Sequence, residues 1–225
     1  MTLFAIMAIM AVFAVGLLAV APSIQQEVER QKEIEAIARG EEVAEAIRQY
    51  VEFYRGTKLP NSIDDLLEGL PRGTQKRQIL RASAAIDPLS EDGKWRLIRA
   101  DIQTLGPFAK RVLNYNGGTL PPNPSPTFDR YAIVVVNSIN TGTEADKGEL
   151  DDAGVQEDVT DNTPFIGVAS QRKGKSVIAY YGIENTSKWV FTPLFRGTGR
   201  GNSFRTITPQ PPGGGNRPVG NRGGR

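Results

Sequence analysis

The chain has 225 residues, of which 39% are hydrophobic and 23% are charged, and its net charge is +2. The length suits one domain of ordinary size with added segments, and the nearly balanced charge argues against a general nucleic-acid-binding protein. The chain contains no histidine and no cysteine, which excludes Cys/His zinc sites, cysteine nucleophiles and Ser-His-Asp triads. We therefore expect a protein that is not an enzyme.

The chain begins with an apolar run, residues 1–21, in which Thr2 is the one polar side chain and no residue is charged. As a helix, this run reaches about 30 Å, the thickness of the hydrocarbon core of a bilayer. It is either a transmembrane anchor or a cleaved secretory signal that ends at Ala19-Val20-Ala21. The missing basic segment before the run and Pro22 after the cleavage point disfavour the signal peptide.

Residues 23–55 are predicted to continue as an amphipathic helix. Pro22 lacks a backbone donor and is expected to kink the helix, Gly40 is expected to permit a bend, and Gly56 with Pro60 is expected to end it. Charged residues, Glu33 among them, alternate in this segment with apolar ones. Apolar side chains recur at about 3.6-residue spacing, which predicts one buried face: Ile24, Val28, Ile34, Ile37, Val43, Ile47, Val51 and Tyr54.

A short second helix is predicted after Pro60. Ser62 is a favourable N-cap residue, and Asp64 and Asp65 would lie in the first turn, where negative charge is favourable. We interpret the aspartate pair as part of this cap and not as a catalytic acid/base couple.

The remaining periodic segments predict β-strands. Trp95 and Leu97 alternate after the Asp87-Pro88 turn, and residues 131–136 form the strongest strand candidate because they are rich in β-branched side chains. Residues 189–191 add a last strand. The predicted fold class is α+β, with the long N-terminal helix packed on an antiparallel sheet.

Residues 165–170 and 176–181 are predicted to pair as a hairpin with a basic tip. The tip carries Arg172, Lys173 and Lys175. We interpret it as a solvated turn, with an intersubunit salt bridge to an acidic loop of another copy as the functional alternative.

Two insertions separate the predicted strands. Residues 119–127 are rich in proline, which favours an extended rigid surface loop, or alternatively a sugar-bearing or adhesive one. Residues 144–161 are acidic, and carboxylate clusters bind hard cations such as calcium, although the spacing matches no EF-hand. The calcium candidates in this loop are Asp151, Asp152 and Asp158.

Residues 197–225 form a tail rich in glycine, proline and arginine, without an acidic residue. This composition predicts disorder in the isolated chain. Arg217, Arg222 and Arg225 are expected to reach acidic surface on another copy of the chain.

Several of these features resemble type IV pilins and type II secretion pseudopilins. After removal of a leader, those proteins begin with an aliphatic or aromatic residue, followed by Thr-Leu, a long apolar helix and a proline. Met1-Thr2-Leu3-Phe4 and Pro22 fall in that register. Residues 39–50, 58–67 and 87–98 resemble a subgroup of bacterial pseudopilin-like proteins, and residues 165–195 do so more loosely.

The resemblance implies a pilin-like fold in which Met1 is the processed, methylated N-terminus. The family usually has glutamate as its fifth residue, which pairs with the terminal amine of a neighbouring subunit, whereas this chain has Ala5. Some pseudopilins also bind calcium in a loop of the sheet region. The implied filament-core residues are Leu3, Phe4, Ile6, Phe13, Val15, Leu17, Leu18 and Pro22.

The predicted organisation is an apolar membrane and filament-core helix (1–22), its amphipathic continuation (23–55), a globular pilin-like domain (56–196) and the tail (197–225). The predicted function is that of a structural subunit of a bacterial type IV pilus-like filament. Its expected partners are further copies of itself, the inner membrane before assembly, and the pilus or secretion machinery. After assembly it would be extracellular or periplasmic. No nucleic acid is expected, and calcium is the one candidate cofactor.

Two alternatives remain open at this point. Ala5 favours a minor, tip-located pseudopilin of a type II secretion system over a main shaft subunit. A membrane-anchored periplasmic binding domain is the alternative from another class.

Overall fold

The computed structural model describes residues 2–140 and 163–197, and within them all side chains except those at 2, 14–23, 134, 138 and 140. The helices are α1 (Thr2–Phe53), α2 (Ile63–Glu68), α3 (Ile102–Tyr115) and α4 (Asp129–Asn140). The strands are β1 (Leu70–Arg72), β2 (Gln75–Arg77), β3 (Arg96–Ile98), β4 (Gly167–Ala169), β5 (Lys175–Tyr180), β6 (Ile183–Asn185) and β7 (Val190–Phe191). Short 3₁₀ turns precede α4 and β7, at Pro126–Phe128 and Thr186–Lys188.

The strands form three small antiparallel sheets in the described part of the chain. The central one has the order β3-β4-β7, and the other two are the hairpins β1-β2 and β5-β6. In the central sheet, Leu97 and Phe191 both pair with Val168, one from each side. The fold is therefore α+β, as the sequence predicts, and its sheets are antiparallel.

The hydrophobic core lies between the second half of α1 and the central sheet. Val43, Ile47 and Val51 are completely buried on the helix side, and α1 contacts β4, β5 and β7. Both tryptophans are buried in this core, Trp95 donating to the carbonyl of Ala84 (2.9 Å) and Trp189 to that of Ile183 (2.9 Å). Their fluorescence therefore reports on unfolding of the core.

Helix α1 ends as the sequence predicts, at a left-handed turn. Arg55 and Gly56 have positive φ angles of 52° and 74°, and the Gly56 N–H donates to the carbonyl of Val51 (2.8 Å). The Gly56 carbonyl accepts hydrogen bonds from the Arg130 guanidinium and the Tyr131 hydroxyl, both at 2.8 Å. Helix α4 thus holds the end of α1 in place.

The predicted cap of α2 is confirmed. The Ser62 hydroxyl accepts from the Asp65 N–H (3.3 Å), and the Asp65 carboxylate accepts in return from the Asn61 N–H (2.8 Å). These reciprocal bonds satisfy backbone donors that the short helix cannot pair internally.

The predicted strand at residues 131–136 is wrong, because this segment belongs to α4. Its buried side chains recur at helical spacing: Phe128, Ala132, Val135 and Val136 are buried, and Ile139 is partly buried. Packing of this face against α3 outweighs the strand preference of the valine and isoleucine residues.

Helix α3 is an element that the sequence analysis did not predict. Asp101 caps it by accepting from the Thr104 N–H at 2.8 Å. Leu105, Phe108, Ala109 and Val112 form its buried face. The predicted order, in which only strands follow the long helix and the short helix after Pro60, is thus corrected, since α3 and α4 stand between β3 and β4.

The predicted hairpin between residues 165–170 and 176–181 is also wrong. Strand β4 pairs with β3 and β7, whereas β5 pairs with β6. The intervening segment is held by Thr186, whose hydroxyl donates to the carbonyl of Arg172 (2.8 Å). The strand at 189–191 and that around Leu97 are confirmed as β7 and β3.

The centre of the proline-rich loop is packed into the domain and not exposed as predicted. Pro122 and Asn123 are buried. The Asn123 side chain donates to Asp129 (3.0 Å) and accepts from the Phe195 N–H (3.2 Å). The loop therefore joins α4 to the segment that follows β7.

Gly40 lies inside α1 and allows the helix to approach the central sheet closely. A Cβ atom at this position would overlap ring carbons of Phe191, which is itself completely buried. Glycine in a helix interior costs about 1 kcal/mol relative to alanine. Glycine is nevertheless required at this position, because the ring of Phe191 occupies the space that a side chain would fill.

We expect Gly40→Ala to destabilise the domain by about 1–3 kcal/mol through overpacking against Phe191. The measurement is urea unfolding in detergent, followed by tryptophan fluorescence. In a Phe191→Leu background the same substitution should cost little, since the smaller side chain leaves room for the new methyl group. An equal penalty in both backgrounds would contradict the steric explanation.

Candidate functional site

The first part of α1 presents large apolar side chains to solvent around the whole helix. Residues 3–13 are all exposed, and their large apolar side chains are 57–78% exposed. A helix that is apolar on every side is normally buried in a core or a membrane. This segment, which we call the apolar stalk (residues 3–13), is therefore a surface that requires a partner. Its large side chains are Leu3, Phe4, Ile6, Met7, Ile9, Met10, Val12 and Phe13.

Four of the predicted filament-core residues lie on the apolar stalk, namely Leu3, Phe4, Ile6 and Phe13, together with Ala5. Val15, Leu17, Leu18 and Pro22, including the predicted kink, lie outside the described side chains, although α1 is helical throughout that stretch. Met1 also lies outside the described residues. Within the described part of the chain, no helix is both long and apolar enough to cross a membrane.

The predicted buried face of α1 is correct only for its second half. Val43, Ile47 and Val51 are completely buried, whereas Ile24, Val28 and Ile34 are 58%, 46% and 50% exposed. The face that turns toward the domain carries Glu29 and Glu33 at this level instead. The apolar surface of α1 thus continues beyond the stalk, on the side of the helix away from its own domain.

Glu33 is the residue at which α1 enters the domain. Its carboxylate is 1% exposed and accepts from the Val177 N–H with both oxygens (3.0 and 2.9 Å) and from the Ile178 N–H (3.0 Å). A buried carboxylate is costly unless its charge meets donors of this kind. We call this set of bonds the Glu33 clamp.

Strand β5 has a shift in its pairing register at the residues that bond to Glu33. The β5-β6 register shifts between the pairs Lys175↔Asn185 and Tyr180↔Ile183. The Ser176 hydroxyl lies within the shift and shares its one proton between the carbonyls of Ile178 (2.6 Å) and Glu184 (2.7 Å). The shift leaves two consecutive N–H groups of β5 facing α1, and the clamp satisfies both.

A second contact below the clamp is the ion pair of Glu29 with Arg172, at 3.3 Å. Arg172 was predicted as an intersubunit residue of the basic tip, and in this chain it joins the tip to α1.

The other two basic-tip residues also have partners in this chain. The Lys175 ammonium lies 3.4 Å from the Glu184 carboxylate, with both side chains mostly exposed. Lys173 also has an interaction partner. Exposed pairs of this kind contribute little stability, so the intersubunit role stays a prediction.

A third contact joins α1 to the segment after β7. Arg196 forms an ion pair with Glu41 and donates to the Tyr180 hydroxyl (2.7 Å), which in turn donates to Glu41. Burial raises the pKa of Tyr180, so the hydroxyl keeps the proton that it donates. Burial lowers the pKa of Arg196 to about 10, which leaves the guanidinium charged at neutral pH.

Asp87 is a further buried carboxylate, and it joins the Asp-Pro turn to β4. It accepts from the Leu89 N–H (2.9 Å) and from the Ser170 hydroxyl (2.7 Å). Burial raises its pKa, and these hydrogen bonds oppose that shift. Because both of its carboxylate oxygens accept hydrogen bonds from nearby residues, Asp87 supports the fold.

The other predicted site residues lie outside the part of the chain that the structure describes. The calcium candidates Asp151, Asp152 and Asp158, and Arg217, Arg222 and Arg225 of the tail, lie in residues 141–162 and 198–225. A search of the described residues finds no group of three or more side chains suited to hold a metal ion.

The role of Glu33 was not predicted from the sequence, although a signal was present. Glu33 precedes Ala36 and Ile37 by three and four positions, which places it on the same helix face as those residues. A charged residue in line with a buried face is a candidate for an internal hydrogen-bonding role.

Comparison of the chain with protein-family models, characterised proteins and solved structures finds no match. The functional assignment therefore depends on the chain's own residues and geometry.

We expect Glu33→Ala to destabilise the domain by about 2–4 kcal/mol, because it leaves two buried backbone N–H groups without acceptors. Glu35→Ala is the matched control, two positions along the same helix. Glu35 forms an exposed ion pair with Arg39, so its loss should cost about 0–1 kcal/mol. Urea unfolding of both variants measures the difference, and equal losses would show that Glu33 is no clamp.

Proposed function

We propose that this protein is a structural subunit of a type IV pilus-like filament that polymerises through its N-terminal helix. The observation that carries the proposal is the division of α1 into an exposed apolar stalk and a second half buried in the subunit's own domain. The resemblance of residues 1–22 to the pilin N-terminus gives the same assignment.

The exposed apolar surface is sufficient to drive association. Full burial of one large aliphatic or aromatic side chain contributes about 1.5–3 kcal/mol relative to water. The apolar stalk exposes eight such side chains, which gives at most roughly 12–24 kcal/mol if all of them become fully buried. If the subunit waits in a membrane before assembly, the gain is smaller, since the stalk then leaves lipid instead of water.

The exposed apolar residues beyond the stalk extend this surface. Ile24 and Val28 are exposed and lie nearly opposite Glu33 on the helix, and Ile34 is exposed beside Glu33. In a filament, a neighbouring subunit would contact α1 at these exposed residues, while the subunit's own sheet covers the opposite face of the helix. The helix would then have one face for its own domain and one for the filament.

The rigid junction between helix and domain also supports a polymer. Helix α1 is continuous from Thr2 to Phe53, a length of about 78 Å, and the contacts of Glu29, Glu33 and Glu41 fix it to the domain. A filament with a regular repeat needs every domain at the same angle to its helix. An anchored binding domain or enzyme has no such requirement and is often joined to its anchor by a flexible linker.

The alanine at position 5 bears on whether the protein is a main shaft subunit or a minor tip subunit of the filament. Without a carboxylate at this position, apolar packing alone would set the register of neighbouring helices. A shaft subunit of this kind would tolerate small axial shifts, whereas a minor tip subunit has few like neighbours to align with.

The direct test is electron microscopy of material sheared from the cell surface, with mass spectrometry of the dominant subunit and its N-terminal peptide. Filaments made of this chain, with a methylated N-terminus at Met1, would identify a shaft subunit. A few copies within filaments of another subunit would identify a minor one. Absence from every filament would refute the proposal.

We expect Ile9→Asp to abolish incorporation into filaments without unfolding the domain. Ile9 is 57% exposed on the stalk, and a carboxylate at the centre of an apolar assembly costs about 2.5–3.5 kcal/mol per subunit on membrane-insertion scales. Ile133→Asp on α4 is the control, since Ile133 is similarly exposed at 51% but lies on the globular domain. Immunogold labelling of sheared filaments measures both variants, and fractionation checks that each remains in the membrane. Normal labelling of the Ile9→Asp variant would contradict a stalk-based core.

A further inference from the structure

The turn between β5 and β6 contains a tyrosine in a backbone conformation that tyrosine rarely adopts. Tyr180 pairs with Ile183, so the loop consists of Tyr181 and Gly182, with φ angles of 49° and 72°. Two consecutive positive φ angles define a type I′ turn, for which Asn-Gly is the favoured sequence. A bulky residue at the first position is strained, and such strain often marks a functional position.

The strained turn places the ring of Tyr181 in an aromatic cluster at the surface. Tyr181 meets Phe108 and Tyr115 edge-to-face, with ring centroids 6.0 and 5.6 Å apart. Tyr115, the last residue of α3, is 64% exposed, and Tyr181 is partly exposed. Neither tyrosine hydroxyl is bonded to another described residue. The pair, which we call the tyrosine platform (Tyr115 and Tyr181), thus offers one largely exposed ring, one partly exposed ring, and two hydroxyl groups without a partner among the described residues.

Aromatic platforms of this composition suit proline-rich segments. Proline rings pack on tyrosine faces, while tyrosine hydroxyls donate to the exposed carbonyls of an extended polyproline helix. The fixed φ angle of proline lowers the entropy that such a segment loses on binding.

The C-terminal tail leaves the domain close to the tyrosine platform. Arg196 bonds to Tyr180, the neighbour of Tyr181, and the Gly197 N–H donates to the carbonyl of Pro122 at 2.7 Å. Pro122 follows Tyr115 by seven residues, a separation of about 25 Å at most. The tail therefore leaves the domain from a residue bonded to Tyr180, the neighbour of Tyr181, and from a point within about 25 Å of Tyr115.

The tail contains a segment with the required chemistry. Pro209-Gln210-Pro211-Pro212 follows Gly197 by twelve residues. Twelve residues reach at most about 40 Å when fully extended. A tether of that reach presents its segment to a nearby site at an effective concentration of about millimolar.

We propose that the tyrosine platform is the docking site of the chain's own proline-rich segment 209–212. The segment lies along Tyr115 and Tyr181 and is held by ring stacking and by hydroxyl-to-carbonyl hydrogen bonds. The proline-rich loop at 119–127 is excluded as the occupant, because Pro122 and Asn123 are already buried in the domain. This docking is independent of filament assembly, since it involves one chain.

Disulfide trapping in the full chain tests the proposal, because the natural sequence has no cysteine. Arg111→Cys places a thiol on α3 one turn before Tyr115, and Gln210→Cys places one between the prolines. We expect this pair to form an intrachain disulfide at least about tenfold faster than a control pair of Gln75→Cys on β2 with Gln210→Cys. The detergent-solubilised monomer is used, and gel mobility separates intrachain from interchain products.

Tyr181→Asn separates docking from folding. Asparagine is favoured at this position of a type I′ turn, so the hairpin is retained while the platform loses one ring. We expect the disulfide of the Arg111→Cys/Gln210→Cys pair to slow to the control rate in this background, with the unfolding midpoint little changed. Equal rates for the two pairs, or a rate that Tyr181→Asn leaves unchanged, would overturn the proposal. Predominantly interchain disulfides would also overturn it and would assign the platform to the tail of a second copy.

Discussion

The structure depends on a carboxylate that enters the domain from the side of its longest helix. The Glu33 side chain is buried, and backbone N–H groups of β5 compensate its charge by hydrogen bonding. Strand β5, for its part, carries a register shift that leaves those N–H groups without partners in β6. Each feature would be unfavourable alone, because a buried charge and buried free donors are both costly. Together they fix the position of α1 along the sheet to within one residue, since a shift of the helix would separate the carboxylate from both donors.

This fixed position determines where the helix stops being part of the domain. Above Glu33, small residues allow close packing: Ala36 and Ala44 are buried, and Gly40 admits the ring of Phe191. Below Glu33, Glu29 forms an ion pair with Arg172 of the domain. The apolar stalk begins beyond that point without covering elements. Tight packing on one half of a single helix is therefore what leaves the other half available for partners.

The sequence predicted those features whose causes are local. The N-cap at Ser62, the end of α1 at Gly56 and the strands at Leu97 and Phe191 depend on residues within a few positions of each other. The errors arose where tertiary packing decides. Residues 131–136 have the composition of a strand, yet their burial against α3 follows a helical period from Phe128 to Ile139. The pairing of β5 with β6 instead of β4 depends on contacts with Thr186 and Glu33 that no local pattern shows.

The same distinction explains why the candidate site was predicted only in part. The apolar character of Leu3, Phe4, Ile6 and Phe13 is visible in the composition of a short stretch, and hydrophobic surface needs no particular neighbour to be recognised. The exposure of Ile24, Val28 and Ile34 was not visible, because it depends on which side of α1 meets the sheet. Glu33 fixes that orientation through its hydrogen bonds to the backbone of β5, and the exposed ion pair of Glu29 with Arg172 lies on the same side. A polar side chain on a helix thus specified the packing direction that its apolar neighbours left ambiguous. A helix that packs on its own domain and on other subunits has apolar residues on both sides, and the buried, directional hydrogen bonds of Glu33 distinguish the two faces.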